Sequence, residues 1–318
     1  MRMLQKWGFF LLSIIAPAFA HADEADLVTA LQKTYSACIG IDANLADLKK
    51  MAGINTAITG VGTGLGAGAT IVGIVKEQKD QLADKLKLEK LRAIEERRMQ
   101  NETPPTSNEE LDAAKREFDN LWGKSTDDKD TDSKIEELDR QSKSLGNWRT
   151  GLLAGNTVTN VAGAIIAGKN TTDGDLQNQI DNCKTAISEL RRARGRARID
   201  GVDVGEANKI ISACEGFETV DISKINTRAK GAMVSGIVGA TTGLTGTITS
   251  GIANSDSVRN QGEGGTRTDK EKNLNTASNV LAGASTVASG VATVFNATQI
   301  SAIKKVADVA TKCTEALK

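Results

Sequence analysis

The sequence predicts an all-α protein built as two tandem antiparallel helical hairpins, the first carrying a long charged helical arm. Three observations carry this. Four stretches lack any charge and are filled with Gly, Ala, Thr and Ser at helical spacing: residues 51–75, 150–168, 231–255 and 273–303. Aromatics make up 3% of the chain and prolines number three, and strand-type alternation bounded by turn residues is scarce, which disfavours a β-sandwich or barrel. Short motifs also recur between the two halves, marking two diverged copies of one unit.

Small residues in the four stretches repeat at intervals of four, and glycine takes most of these positions in the first three. Gly60, Gly64 and Gly68 do so in the first, Gly151, Gly155 and Gly163 in the second, and Gly239, Gly243 and Gly251 in the third. The fourth has Ala284, Ala288 and Ala292 instead. Residues four apart share a helix face, and small ones let a second backbone approach closely. Each helix-interior glycine costs about 1 kcal/mol relative to alanine, so a partner helix is expected at every seam. The pattern resembles glycine zippers in general.

Taken in order, residues 1–20 read as an export signal. Arg2 and Lys6 open it, residues 7–15 form its apolar run, and Ala18, Phe19 and Ala20 make a small-x-small cleavage site. The remainder divides into 21–198, with the charged arm at 76–149, and 199–318. Ser36-Ala37-Cys38 has its counterpart in Ser212-Ala213-Cys214, Thr63-Gly64-Leu65 in Thr242-Gly243-Leu244, and Leu153-Ala154-Gly155 in Leu281-Ala282-Gly283. Each copy thus reads as cysteine, seam helix, connector, seam helix, cysteine. The first helix should continue through residues 76–100, which contain no Gly or Pro, until Thr103-Pro104-Pro105-Thr106 stops it. A helix is expected from Asn108 to about Trp122, a polar break at 127–133, and a flexible Gly-rich loop at 256–272.

All four cysteines, Cys38, Cys183, Cys214 and Cys313, follow the signal, and an even count in an exported chain favours disulfides. Cys38 lies 26 residues before Gly64 and Cys183 lies 28 after Gly155; the second copy has intervals of 29 and 30. Antiparallel seam helices would therefore bring Cys38 level with Cys183 and Cys214 level with Cys313.

Catalytic chemistry finds little footing. His21 is the only histidine, so multi-histidine metal centres are excluded and a Ser-His-Asp triad would rest on a residue at the cleavage junction. Residues 62–67 match G-x-G-x-x-A, but glycines continue on both sides at helical rather than strand–turn–helix spacing. Ser301 to Lys304 matches S-x-x-K without its companion elements. Asp128, Asp130, Asp132, Glu136 and Asp139 fall at positions 1, 3, 5, 9 and 12 of a calcium-loop pattern, although Ser133 replaces its turn glycine and Asp139 its closing Glu. Arg191, Arg192, Arg194, Arg196 and Arg198 form the one strong single-sign cluster, suited to a solvated helix end or to an anionic lipid surface.

The sequence therefore points to a non-enzymatic, exported cell-envelope protein needing no cofactor and binding no nucleic acid. Its seam helices would drive membrane association, self-association or both. The alternative is a soluble periplasmic or secreted module recognising a partner through its arm. The charge-free stretches are long enough to span a bilayer, though Gly, Thr, Ser and Asn make them weakly hydrophobic. Four crossings would leave all four cysteines on the exported side and both connectors opposite.

Overall fold

The computed structural model describes residues 22–101, 126–171 and 174–318. The export signal, the proline stop at 103–106 and the helix expected over 108–122 lie outside them. Among the described residues seven α-helices follow one another: α1 (Ala22–Cys38), α2 (Ile41–Asn101), α3 (Thr126–Lys169), α4 (Gly174–Ile199), α5 (Gly205–Cys214), α6 (Ser223–Ala253) and α7 (Asp269–Ala316). Short 3-10 turns stand at Glu215–Thr219 and Glu263–Gly265, and no strand occurs among the described residues. The protein is all-α.

Helix α2 runs unbroken for 61 residues, through the seam and into the charged arm. Its start is set by Gly40, whose φ of +86° ends α1 in a left-handed turn that side chains resist. Gly201 closes α4 in the same way, with φ +77°. There the Val202 N–H reaches the Ala197 carbonyl and the Gly201 N–H that of Arg198, the paired bonds of a Schellman cap.

Two compact units emerge. The first comprises Met1–Lys50, Thr172–Ile225 and Ser301–Lys318, the second Met51–Thr171 and Asn226–Ile300. Neither coincides with 21–198 or 199–318; each draws on both copies. The first unit has an ordinary apolar core, with Leu27, Ile41, Leu45, Ile180, Ile187, Leu190, Phe217 and Ile303 buried. Helix α1 packs along α4, where the Thr34 hydroxyl donates to the Ala186 carbonyl and Lys33 pairs with Glu189 at 2.6 Å. Both disulfides lie in this unit, joining Cys38 to Cys183 and Cys214 to Cys313.

The second unit is a four-helix bundle of α2, α3, α6 and α7. Contacts pair rising numbers on one helix with falling numbers on the next. Asp80 meets Ser142 while Gly163 meets Asn55 (α2–α3), and Asn55 meets Asn296 while Lys76 meets Asn275 (α2–α7). Thr150 meets Ser250 while Gly236 meets Ala164 (α3–α6), and Gly231 meets Phe295 while Gly246 meets Leu281 (α6–α7). Both hairpins are antiparallel, as the sequence predicts.

Candidate functional site

Inward positions in the bundle alternate steps of three and four. On α2 they are 52, 55, 59, 62, 66, 69, 73 and 76; on α3, 149, 153, 156, 160, 163, 167 and 170; on α7, 275, 278, 282, 285, 289, 292, 296 and 299. This is the heptad seam of a left-handed coiled coil. Four residues turn an α-helix by roughly 40° more than a full circle, so a strict four-residue series drifts off any partner. That drift corrects part of the sequence expectation. A Cβ on Gly60, Gly64, Gly151 or Gly251 would meet nothing within 4 Å, and on Gly68 only Leu152 at 3.5 Å. Gly155, Gly163, Gly239 and Gly243 do face neighbours, at 3.2, 2.7, 2.9 and 2.7 Å. On α2 the close approaches fall instead at Gly62 and Gly66, two residues off the expected series, and at Gly73 against Asn279 and Arg149.

What fills this seam is polar. Asn55, Thr59, Asn156, Asn160, Ser285, Ser289 and Asn296 are all buried to within 1% of full occlusion. Asn55 Nδ2 donates to Asn296 Oδ1 at 2.9 Å, and Asn296 Nδ2 to Thr59 Oγ1 at 3.3 Å. Asn156 Nδ2 donates to Ser285 Oγ at 2.8 Å, Asn160 Nδ2 to Asn156 Oδ1, and Ser289 Oγ to Asn160 Oδ1. Ser285 and Ser278 in turn donate to the Gly239 and Gly246 carbonyls, which the missing side chains of α6 leave reachable. One layer breaks the ladder: Ala69, Leu153 and Ala282 form a fully buried apolar cluster backed by Leu152.

Beyond that layer the interior becomes charged. Lys76 Nζ lies 2.6 Å from Asp80 Oδ2 with both side chains almost wholly buried. Arg267 bridges Glu77 at 2.9 Å and Asp84 at 2.8 Å, while Lys87 pairs with Asp139 at 2.8 Å. The Arg259 guanidinium donates to the Asp139 carbonyl, and the Asn260 N–H to Glu271 Oε2. Lys76 and Glu271 stand just outside the charge-free stretches. Burial lowers the Lys76 ammonium from its ordinary pKa against the pull of Asp80 and Glu271, and raises the Glu271 carboxyl against that of the Asn260 N–H, Lys76 and Arg259. The connector at 256–272, expected as a flexible loop, is pinned through Arg259, Arg267 and the Gly265 carbonyl, which accepts from Lys87.

The exterior is the reverse of the interior. Ile54, Val61, Ile71 and Ile74 on α2, Val158, Val161 and Ile165 on α3, Val234, Ile237, Leu244 and Ile248 on α6, and Val280, Val287, Val291 and Val294 on α7 are exposed, several beyond 60%. The antiparallel contacts place these residues at one level of the bundle. That level is bounded by Asn55 and Asn296 at one end and Lys76 and Asn275 at the other. The 21 residues between those α2 positions rise by roughly 30 Å. Among the described residues three stretches, Glu24–Glu96, Lys129–Ile199 and Glu263–Ala316, hold helices long and apolar enough to cross a membrane by length and composition; α6 is not among them and shares the level through its exposed Val234, Ile237, Leu244 and Ile248.

The remaining expected sites fare differently. The calcium pattern is overturned. Thr126–Lys169 is one helix, so the backbone positions 128, 130, 132, 136 and 139 wind around it instead of forming a loop. Asp130 pairs with Lys134, Asp132 with Lys90, and Asp139 with Lys87. With no glycine at Ser133 to turn the chain, the helix runs through the expected break. Of the arginine cluster on α4, Arg191 pairs with Glu218, Arg196 with Asp26, and Arg194 donates to Asn208; Arg192 and Arg198 are exposed. The polar ladder and the buried ion pairs were missed at the sequence level. The signal was present in the three–four spacing of Asn156, Asn160 and Gly163, and of Ser278, Ser285, Ser289 and Asn296. Comparisons with protein-family models, with curated proteins and with solved structures found no match.

Proposed function

We propose that this is a non-enzymatic cell-envelope protein whose four charge-free helices cross a membrane as a polar-cored bundle. The observation that carries the reading is the inversion of the second unit. Asn, Ser and Thr are buried while Val and Ile are exposed, over a length matching the roughly 30 Å hydrocarbon core of a bilayer. In water this distribution would leave a large apolar surface bare and spend buried volume on amides. In lipid both features become favourable, because hydrocarbon covers the exterior and small and polar side chains hold the helices together. The first unit, with its apolar core and two disulfides, suits an oxidising aqueous compartment. An even number of crossings puts its three segments on one side. Gly60, Gly64, Gly151 and Gly251, open on the outer faces, support self-association through a helix of another copy.

Fractionation tests this directly. Membranes from expressing cells, washed at alkaline pH with carbonate, should retain the protein with integral markers. Release into the wash as a discrete oligomer would instead mean that copies of the chain cover each other's apolar faces.

A further inference from the structure

The inference rests on the membrane reading and concerns what passes through the bundle. Hydrogen-bonding groups line the interior on both sides of the Ala69, Leu153 and Ala282 layer. On one side lie Ser285, Asn156, Ser289, Asn160, Thr59, Asn55, Asn296 and Gln299; on the other, Ser278, Asn275, Arg149, Lys76 and Glu271. Several of these are buried without a partner for one atom. They include Asn55 Oδ1 and Gln299 Oε1 on the first side, and Arg149 Nε, Asn275 Nδ2 and Glu271 Oε1 on the second. Such atoms in a low-dielectric interior call for water, since each costs about 1–3 kcal/mol when left unsatisfied. The apolar layer alone offers water nothing. Gly246 completes it on α6, where a Cβ would touch Leu281 Cβ at 3.3 Å and Leu153 Cδ1 at 3.6 Å.

We propose that the bundle interior is a proton path, held closed in this conformation by the Ala69–Leu153–Ala282 layer. A proton fits the observations better than a metal cation. Side chains from facing helices meet directly across the interior at 2.8–3.3 Å, which leaves no bore for an ion. A proton needs no continuous bore: hydroxyls such as those of Thr59, Ser285 and Ser289, with single waters at the unsatisfied atoms, make a file along which it can be handed on. It enters as hydronium, passes by exchange of hydrogen bonds for covalent O–H bonds along that file, and leaves on the far side. The transmembrane gradient drives it, and nothing is oxidised or reduced. At the charged end Glu271 Oε1, buried without a partner, is the group that takes up and releases protons, while Asn260 N–H holds Oε2 at 2.8 Å. Apolar constrictions of this kind gate by excluding water.

The test uses the signal-processed chain, reconstituted into phosphatidylethanolamine–phosphatidylglycerol vesicles containing a pH-sensitive dye and driven by a potassium diffusion potential. Wild-type protein should stay near the protein-free rate. Leu153→Ser should raise proton flux by about tenfold or more by wetting the layer, with both disulfides closed and helix content unchanged. Ala282→Ser carries the same expectation from the facing helix, should Leu153→Ser fail to fold. Adding Asn156→Leu to the conducting variant should return flux to the wild-type rate. No increase in either serine variant overturns the proposal. So does conduction that survives Asn156→Leu, or release of co-encapsulated calcein, which would mean a broken bundle. Failure to incorporate into vesicles removes the membrane reading and this proposal together, whereas incorporation without flux removes only the proposal.

Discussion

At the residue scale, two glycines two positions apart have opposite roles. A Cβ on Gly66 would lie 2.6 Å from Thr286 Oγ1, 2.9 Å from Asn156 Nδ2 and 3.2 Å from the Thr286 Cα. A Cβ on Gly64 would meet nothing within 4 Å. Gly66→Ala should therefore lower stability by about 1–3 kcal/mol through overpacking, the backbone atom being the part that cannot give way. Gly64→Ala should raise it by up to about 1 kcal/mol from helix propensity. Thermal melts of the two variants in one detergent check the pair. Equal shifts would mean that the seam is not where the heptad puts it. Gly60, Gly64 and Gly68 fail as the seam because the inward face repeats every three and a half residues and not every four.

At the element scale, the arm is an extension of the same seam in charged residues. Ala83 and Lys87 continue the α2 series, and Lys87 reaches Asp139 while Lys90 reaches Asp132 across the hairpin. The cation most committed to it comes from the connector: Arg267 is 4% exposed and within 3.5 Å of three carboxylates. Arg267→Ala should cost about 1.5–3 kcal/mol, since it takes the guanidinium from Asp84 and Glu77 while Asp80 keeps Lys76. Urea unfolding at neutral pH measures it, and a loss under about 1 kcal/mol would assign the pairs to solvent-screened surface behaviour. The helical course of α3 through 128–139 gives a second expectation. Calcium titration should return no saturable heat, and a saturable signal abolished by Asp130→Ala would contradict the helix. In the first unit, the Cys38–Cys183 loop of 145 residues is worth up to about 5 kcal/mol in the chain-entropy model. Non-reducing peptide mapping should return that pair together with Cys214–Cys313.

For the whole molecule, much of the plan was legible in the sequence and its inversion was not. Two antiparallel hairpins and both disulfide pairings followed from the spacing of Cys38, Cys183, Cys214 and Cys313 to the glycines. Absence of charge also marked the four bundle helices. What sequence could not deliver was which face of each helix turns inward, because Gly, Ala, Ser and Thr occupy both faces of residues 231–255 alike. Buried asparagines were equally hard to see, since an amide in a charge-free stretch reads as a surface residue until a partner such as Ser285 or Asn296 is opposite it. The ion pairs around Arg267 depend on a connector folding back, and composition describes that connector only as glycine-rich.

The central claim is that valines and isoleucines of the bundle face hydrocarbon. Nitroxide labels at Val287→Cys and, two residues earlier on the inward face, at Ser285→Cys measure it in reconstituted vesicles, where dissolved oxygen concentrates in lipid and a nickel chelate stays in water. Val287 is 67% exposed and Ser285 fully buried. The account predicts strong relaxation of the Val287 label by oxygen with almost none by the chelate, and weak relaxation of the Ser285 label by either. Free access of the nickel chelate to position 287 would contradict it.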